Sequence, residues 1–189
     1  IYSSHIRNEG TEVFAAVAEI PGVRSVTLME NVPLSGLVSN SSITVDERTV
    51  MLYRNAVGPA LLETLDMRLV AGRMPGMQDG PEAPRIGVVN ETAVREIFGG
   101  ASPIGRMLGL GGSTEVQIVG VVNDTPYRDQ RSPIPATLYE SAFQRGAYGG
   151  HDVVLRTDVP IARIETAIRD AVYRVDADLP VPQIRTVTE

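Results

Sequence analysis

The chain of 189 residues has no cysteine and no lysine. Without cysteine there are no disulfides, no thiolate nucleophiles and no cysteine-ligated zinc. Without lysine, the phosphate-binding lysine of P-loops, Schiff-base chemistry and lysine general bases are excluded. All 17 basic residues are therefore arginine, set against 23 acidic residues for a net charge of −6. Such scattered arginines argue against nucleic acid as a partner, because neutralising phosphates requires a basic face.

Long hydrophobic runs are missing too. No apolar stretch approaches the ~20 residues that a membrane-spanning helix needs. The hydrophobic content of 43% and the charged content of 21% are those of an ordinary globular protein. The length suffices for one good core or two small ones. Because no signal peptide is visible and the chain opens on Ile1, we expect a piece of a longer protein.

The best specified stretch is residues 86–100, IGVVNETAVREIFGG. The apolar run at 86–89 predicts a buried strand. Asn90 is a typical helix cap, and the following residues place apolar side chains at helical spacing up to Phe98. Gly99 and Gly100 supply the left-handed conformation that ends a helix. The pattern predicts a strand, a tight turn and a short helix, with no evident chemistry.

The two ends of the chain carry similar patterns. Apolar spacing predicts a helix over residues 3–20, followed by a Pro-Gly turn and a strand at 23–28. Near the other end, a strand at 152–157 precedes a long amphipathic helix, a turn at 176–180 and a strand at 181–187. The front copy lacks only the strand before its helix. Because neither helix can bury its apolar face alone, we predict one discontinuous βαβ-type unit built from both ends.

The middle of the chain has a different sequence pattern, with short apolar runs separated by loop-forming residues. It predicts short strands at 43–47, 49–57, 67–71 and 136–140, a short helix at 60–65, and loops at 33–42, 74–84 and 126–135, of which 74–84 is rich in proline. The run at 114–122 ends wholly apolar and is predicted to be the central strand of this region. The overall prediction is an α+β fold. Its first subdomain comprises residues 1–33 and 146–189, and residues 34–145 form an inserted, mainly-β subdomain carrying short helices.

Candidate chemistry is sparse. The segment 109–113, GLGGS, resembles a phosphate-binding glycine loop, but a strand follows it where a helix is required, so we predict a hairpin turn. His5 and His151 are the only imidazoles, and a zinc site normally needs three protein ligands. Ser35 lacks the strand and helix context of a nucleophile elbow, which favours a turn residue.

Scattered acids are the remaining catalytic candidates: Asp66, Asp79, Glu82 and Asp124. A glycosidase would need two of them to face each other across a cleft. Asp79 and Glu82 fall in a Pro-rich loop, where solvated charge is the expected state. We therefore expect no catalytic residue, no metal site and no cofactor.

Tyr and Arg side chains on predicted loops are the best candidates for partner binding, since these residue types commonly anchor protein interfaces. They occur as two pairs, Tyr127 with Arg128 and Arg145 with Tyr148. The alternative, that all four are ordinary loop residues, carries equal weight.

Short segments in a fixed order produce a family resemblance over nearly the whole chain. The segments are IPGVRSV at 20–26, PLSG at 33–36, LETL at 62–65, LVAGR at 69–73, VVNETA at 88–93, FGG at 98–100, PIGR at 103–106, IVGVVND at 118–124, VLRT at 154–157 and LP at 179–180. The single residue Asp79 also matches. In this order they resemble the periplasmic core domain of MacB/FtsX-type ABC transporter permeases. The loops at 33–42, 74–84 and 126–135 depart most from that pattern.

The resemblance implies a porter-like subdomain from both chain ends with an inserted subdomain, placed in the periplasm between two transmembrane helices of a cytoplasmic-membrane protein. It also implies a non-catalytic role in export or efflux. The expected partners are a cytoplasmic ATPase acting through the membrane part, a second permease half in a dimer, and a periplasmic adaptor protein. Two alternatives stay open: a stand-alone protein- or ligand-binding module outside the membrane, and a hydrolase using the scattered acids or His151.

Overall fold

In the computed structural model, one eleven-stranded mixed sheet carries four helices over the described part of the chain. The described residues are 2–6, 10–32, 39–45, 47–76, 78–111, 114–125, 133–144, 151–179, 181 and 183–186. The elements are β1 Tyr2–Ile6, α1 Gly10–Ala18, β2 Val23–Met29, β3 Ser39–Val45, β4 Arg48–Val57, α2 Leu61–Leu65, β5 Leu69–Gly72, β6 Ile86–Asn90, α3 Glu91–Phe98, β7 Met107–Gly109, β8 Glu115–Val122, β9 Thr137–Ser141, β10 His151–Thr157, α4 Ile161–Val175 and β11 Gln183–Ile184. The α+β class is confirmed.

The two ends of the chain form one antiparallel layer, here called the terminal unit, which comprises β1, α1, β2, β10, α4 and β11. Its strand order is β11-β1-β10-β2. The connectivity βαβ followed by βαβ in this order is that of a ferredoxin-like fold. The remaining elements, β3 to β9, are inserted where that fold has the turn between its second and third strands.

Helices α1 and α4 bury their apolar stripes against one face of the terminal unit. Val13, Val17, Ile164, Ile168 and Val172 are all buried there, beside the inward-facing side chains of β2 and β10. The stripe predicted for the second helix is thus confirmed, and each helix covers apolar surface that the other cannot cover alone.

The prediction of a helix over residues 3–20 is wrong at its amino end. The structure has strand β1 there, and α1 begins at Gly10, which was expected to lie in the middle of a helix. Strand β1 pairs with β10 on one side and β11 on the other, so tertiary pairing overrides the local helical spacing. The strand that the front copy was expected to lack is present. The strand predicted at 181–187 is reduced, in the described residues, to Gln183–Ile184.

The inserted strands run in the order β4-β9-β6-β8-β5, with β3 beside β4 and β7 beside β8. The strands predicted at 43–47 and 49–57 pair as the antiparallel hairpin β3–β4, with Val45 opposite Arg48. The predicted central strand, β8, instead neighbours the sheet edge, and β6 lies between β9 and β8. All five residues of β6 are buried, which is why a run of only five residues carries so much apolar character.

Strand β6 leads directly into helix α3, as residues 86–100 predict. The Asn90 side chain accepts a hydrogen bond from the backbone N–H of Ala93 at 3.0 Å and so caps the helix. Gly99 ends it with φ of 61°, a left-handed conformation that glycine adopts without strain. The loop at 109–113 joins the antiparallel strands β7 and β8, which confirms a hairpin there; residues 112 and 113 lie outside the described residues.

The terminal unit and the inserted region share one sheet through a single paired position, Met29 opposite Val57. The backbone N–H of Asn31 donates to the side-chain Oδ1 of Asn55 at 3.0 Å. The side-chain Nδ2 of Asn55 donates back to the backbone carbonyl of Asn31 at 2.7 Å. Reciprocal bonds of this kind satisfy two buried polar residues at the junction. The subdomain boundaries at 33/34 and 145/146 stay a prediction, since both fall outside the described residues. Among the described helices, none is both long and apolar enough to cross a bilayer.

Candidate functional site

The first and last strands of the chain lie side by side. Tyr2 is opposite Ile184 and Ser3 is opposite Gln183 in an antiparallel pair. Neighbouring strands are spaced about 4.8 Å apart. The amino end of β1 and the carboxyl end of β11 are therefore adjacent at one end of the sheet, and both strands belong to the same hydrogen-bonded layer as β10 and β2.

Helix α2 of the inserted region packs on the face of that layer opposite α1 and α4. Its Leu61 is buried in a cluster that includes Met29 of β2 and Val154 of β10. Thr64 donates from its hydroxyl to the Ser25 hydroxyl at 3.1 Å, and Arg156 donates from Nε to the Thr64 carbonyl at 3.2 Å. The inserted region thus contacts β2 and β10 of the terminal unit through one short helix. We call these contacts the α2 contact.

The backbone on either side of α2 adopts unfavourable conformations that are stabilised by the packing of this helix against β2 and β10. Ala60 and Asp66 flank the helix, each with φ of 57°, a left-handed conformation that non-glycine residues rarely take. Before them, a Cβ on Gly58 would lie 2.8 Å from the Leu28 amide nitrogen, so only glycine allows this close approach. Five residues are too few for a helix to be stable alone. Its burial against β2 and β10 supplies the stability.

A polar cluster lies where the parallel strands β6 and β8 end. The Asp124 carboxylate accepts from the Thr92 amide at 2.8 Å, from the Thr92 hydroxyl at 2.9 Å and from Arg95 at 3.1 Å. Asp124 thereby places a negative charge at the amino end of α3, where the helix dipole favours it. The acid is occupied by protein donors, so it serves to fix the chain after β8.

Close by, Tyr139 of β9 is 2% exposed, and its hydroxyl has no hydrogen-bond partner among the described residues. Burial raises the pKa of Tyr139, and the negative charge of Asp124 raises this pKa further. The phenol therefore stays protonated at every physiological pH and is not a general base.

The other candidate acids do not converge on a site. Asp79 was expected to be solvated, and this is wrong: the residue is 6% exposed and accepts from Arg73 at 2.7 and 2.9 Å. The hydrogen bonds from Arg73 lower the pKa of Asp79 despite its burial. Asp66 and Glu82 are exposed. Across the part of the chain that the structure describes, no group of three or more His, Asp or Glu side chains is placed to hold a metal ion.

Several predicted site residues fall outside the described residues. They are Ser35, Tyr127, Arg128, Arg145 and Tyr148. His5 lies in β1 and His151 begins β10, with only their backbones described. The partner-binding role of the four Tyr and Arg residues therefore stays a prediction.

The sequence-based reasoning missed the residues that join the two parts of the molecule: Thr64, Arg156, Asn31 and Asn55. One signal was available for the last of them. Asn55 interrupts the run at 50–57 just before an apolar pair, and a polar residue in a buried strand needs a hydrogen-bonded partner. The partners themselves lie 24 residues away for Asn55 and 92 residues away for Thr64, distances that no local pattern spans.

Comparison with known families decides the identity of the fold. The family model of the MacB-like periplasmic core domain matches residues 3–171, most of the chain. The chain belongs to this family. It is thus a periplasmic core domain of the kind found in MacB-like ABC transporter permeases, and the resemblance noted in the sequence is confirmed. A comparison of this MacB-like domain with curated proteins finds no match.

Solved structures show the same fold at low sequence identity. The periplasmic region of MacB from Actinobacillus actinomycetemcomitans has a TM-score of 0.67 and 18% identity, covering 96% of this chain and 80% of its own. The extracellular domain of the ABC-type transporter YknZ from Gram-positive bacteria has a TM-score of 0.66 and 15% identity, covering 93% and 88%. A domain of a putative permease from Porphyromonas gingivalis has a TM-score of 0.58 and 21% identity, covering 87% and 76%.

Proposed function

We propose that this MacB-like domain is a non-catalytic, extracytoplasmic coupling element of an ABC transporter permease. In this proposal it transmits movement of the transmembrane part to export or to a partner protein. The observation that carries the proposal is the adjacency of β1 and β11. Two membrane helices continuing from these strands would emerge next to each other, so a shift of that helix pair would pull directly on the sheet.

The α2 contact supports the next step of the proposal. Strands β1, β10 and β2 are joined by backbone hydrogen bonds, so a load on β1 is shared by β2. From there it reaches the inserted region by two routes, the Met29–Val57 pairing and the packing of α2 against β2 and β10. Movement at the membrane end would therefore carry the inserted region with it as part of one body.

The full-length permease tests this coupling directly. The domain lacks cysteine, so Arg163→Cys on the exposed face of α4 supplies a spin-label site, once any cysteines outside the domain have been replaced. In reconstituted permease with its ATPase, we expect the distance between the labels of a permease dimer to differ between the nucleotide-free and vanadate-trapped states. Identical distance distributions would contradict coupling, and a signal without any dipolar coupling would contradict the dimer.

Partner binding is proposed for the segments 126–132 and 145–150, through Tyr127, Arg128, Arg145 and Tyr148. Capture of a candidate periplasmic adaptor by the wild type is compared with capture by the Tyr127→Ala/Arg128→Ala and Arg145→Ala/Tyr148→Ala variants. We expect reduced capture by both variants, and unchanged capture would show that these residues do not bind the adaptor.

A screen of the chain against esterase, glycosidase and phosphatase substrates, with and without zinc, is expected to show no turnover. Turnover would instead favour a hydrolase.

A further inference from the structure

A groove of about 510 Å³ lies between two strand edges of the inserted region. Strand β3 lines one side and β7 the other. Within the described residues, β3 pairs only with β4 and β7 pairs only with β8, so each presents an edge without a neighbouring strand. Free edges expose backbone N–H and C=O groups that can pair with another extended chain.

The floor of the groove is built from buried apolar side chains, while most of its accessible lining is polar. Ile43, Ile97 and Leu108 are buried beneath it, and the half-buried ring of Phe98 lies beside them. Met107 on the wall is 52% exposed, an unusual state for a long apolar side chain on a strand. Alternate side chains of an extended ligand would find apolar surface here.

Two arginines flank this floor. The Arg106 guanidinium lies 5.6 Å from the centre of the Phe98 ring, which holds the charge at the groove. Arg48, at the first position of β4, lines the same groove. Neither arginine has a carboxylate within ion-pairing distance in the described part of the chain, although acids outnumber arginines by 23 to 17. Two uncompensated guanidinium groups attract carboxylates.

Two neighbouring features limit where an anion binds. The carboxyl end of α3 reaches the groove at Gly99 and carries a partial negative charge of about half a unit, less than the two full charges of the arginines. A second groove shares Arg48 but is also lined by Glu96, which would repel an acid. The groove between β3 and β7 is thus the more favourable of the two.

We propose that this groove binds an extended acidic peptide segment, which pairs with the free edge of β3 and places its carboxylates at Arg48 and Arg106. Strand addition gains affinity from main-chain hydrogen bonds and specificity from alternate side chains. Strand β3 is the better edge because it has seven residues against three in β7. The volume is that of a small-ligand site, whereas a globular partner needs about 800 Å² of surface on each side. The proposal is independent of coupling to the membrane.

The test uses the 189-residue chain labelled with ¹⁵N and three synthetic peptides. They are acetyl-Glu-Val-Glu-Val-Glu-amide, its Lys counterpart, and the acidic peptide N-methylated at both valines. We expect the acidic peptide to shift the amide signals of Thr44 and Gly109 in a saturable manner, and the Lys peptide to leave them unchanged. Loss of binding on N-methylation is expected because the methyl groups remove the strand hydrogen bonds.

Matched variants locate the site. Arg48→Gln and Arg106→Gln are each expected to weaken binding of the acidic peptide by up to about fivefold, since an exposed charge pair contributes up to ~1 kcal/mol. Arg174→Gln, an equal change of charge on the exposed surface of α4, is expected to leave binding unchanged. Unperturbed spectra of the three variants verify folding.

Three results would overturn the proposal: no saturable shift with the acidic peptide, equal weakening by the control variant, or full binding of the N-methylated peptide. Titration with sodium dodecanoate tests whether the groove binds an anionic amphiphile in place of a peptide. If dodecanoate shifts Thr44 and Gly109 while the acidic peptide does not, the groove takes single-chain anionic amphiphiles and the peptide proposal is wrong. None of these outcomes bears on the spin-label test of coupling.

Discussion

Arg54 on β4 and Glu140 on β9 form a bidentate ion pair inside the sheet. The Nε and Nη2 atoms of Arg54 donate to the two carboxylate oxygens of Glu140 at 2.8 and 2.9 Å. The side chains are 17% and 4% exposed, so water screens the pair little. The pair joins the two strands that run parallel beside the boundary with the terminal unit.

Breaking this pair from one side is expected to be costly. Glu140→Ala leaves a largely buried guanidinium without its acid and should lower the free energy of unfolding by about 3–5 kcal/mol. The double variant Arg54→Met/Glu140→Leu replaces both charges by apolar side chains and should lose less than Glu140→Ala alone. Urea denaturation of the three proteins measures this. A double variant less stable than the single one would contradict the expectation.

Asn90 is expected to stabilise two elements at once. Its Oδ1 accepts from Ala93 in α3 and from the Thr137 amide in β9, at 3.0 and 2.9 Å. Asn90→Ala should therefore cost about 2–4 kcal/mol, a lost helix cap plus one buried amide left unsatisfied. Amide exchange of Thr137 should accelerate in the same variant. Asn40→Ala on the exposed edge strand β3 is the control and should change stability by less than about 0.5 kcal/mol.

The buried hydroxyl of Tyr139 gives the opposite expectation. Because this hydroxyl has no partner in the described part of the molecule, Tyr139→Phe removes a desolvation penalty of about 1–3 kcal/mol without losing a bond. The variant should be more stable than the wild type, by about 1 kcal/mol in urea denaturation. Tyr173→Phe, at a half-exposed position on α4, should be neutral. A destabilised Tyr139→Phe would show that the hydroxyl is satisfied after all.

Gly120 of β8 lies against the backbone that follows β5. A Cβ at this position would be 2.3 Å from the carbonyl oxygen of Arg73, an approach that backbone cannot accommodate without moving. Gly120→Ala should cost about 1–3 kcal/mol and expose the Arg73 amide, which donates to Val119 at 2.9 Å, to hydrogen exchange. Gly109→Ala, where the Cβ would enter open space, should leave both quantities nearly unchanged.

Asp79 makes the stability of its loop depend on pH. The hydrogen bonds from Arg73 hold the pKa of Asp79 below its ordinary value of about 3.9. The folded state therefore binds this proton less readily than the unfolded state. The stabilisation is present above about pH 4 and is lost as the pH falls through the lowered pKa. Asp79→Asn should abolish this part of the acid dependence, which urea denaturation over about 2 pH units on either side of the ordinary pKa measures. Equal acid dependence in the variant and the wild type would contradict it.

Local sequence chemistry was sufficient for some elements and misleading for others. Residues 86–100 were predictable because the strand, the Asn90 cap and the Gly99 stop all act between near neighbours. Strand β1 was not, because its partners β10 and β11 lie more than 140 residues further along the chain. The apolar spacing that suggests a helix there is overridden by pairing at long range.

The candidate site was less predictable still. The packing of α1 and α4 on one layer could be predicted from their apolar faces, since neither helix can bury its apolar face alone. The α2 contact and the Arg73–Asp79 pair depend on backbone conformations that side-chain patterns do not encode, such as left-handed Ala60 and the close approach at Gly58. For Asp79, a Pro-rich setting suggested solvent, whereas the loop turns back so that Gly76 and Arg73 both donate to the carboxylate.

The register of β2 and β10 determines how easily the layer accommodates an insertion. Met29 is opposite Asp152, so the residues where the inserted region departs and returns lie next to each other. A two-residue turn would close the ferredoxin-like layer at that point, and exchanging such a turn for a long excursion adds little loop-closure entropy. The terminal unit can therefore accept inserted regions of different lengths at this point. The terminal unit in turn depends on the inserted region, because Leu61 shields from water the face of the sheet that α1 and α4 do not cover.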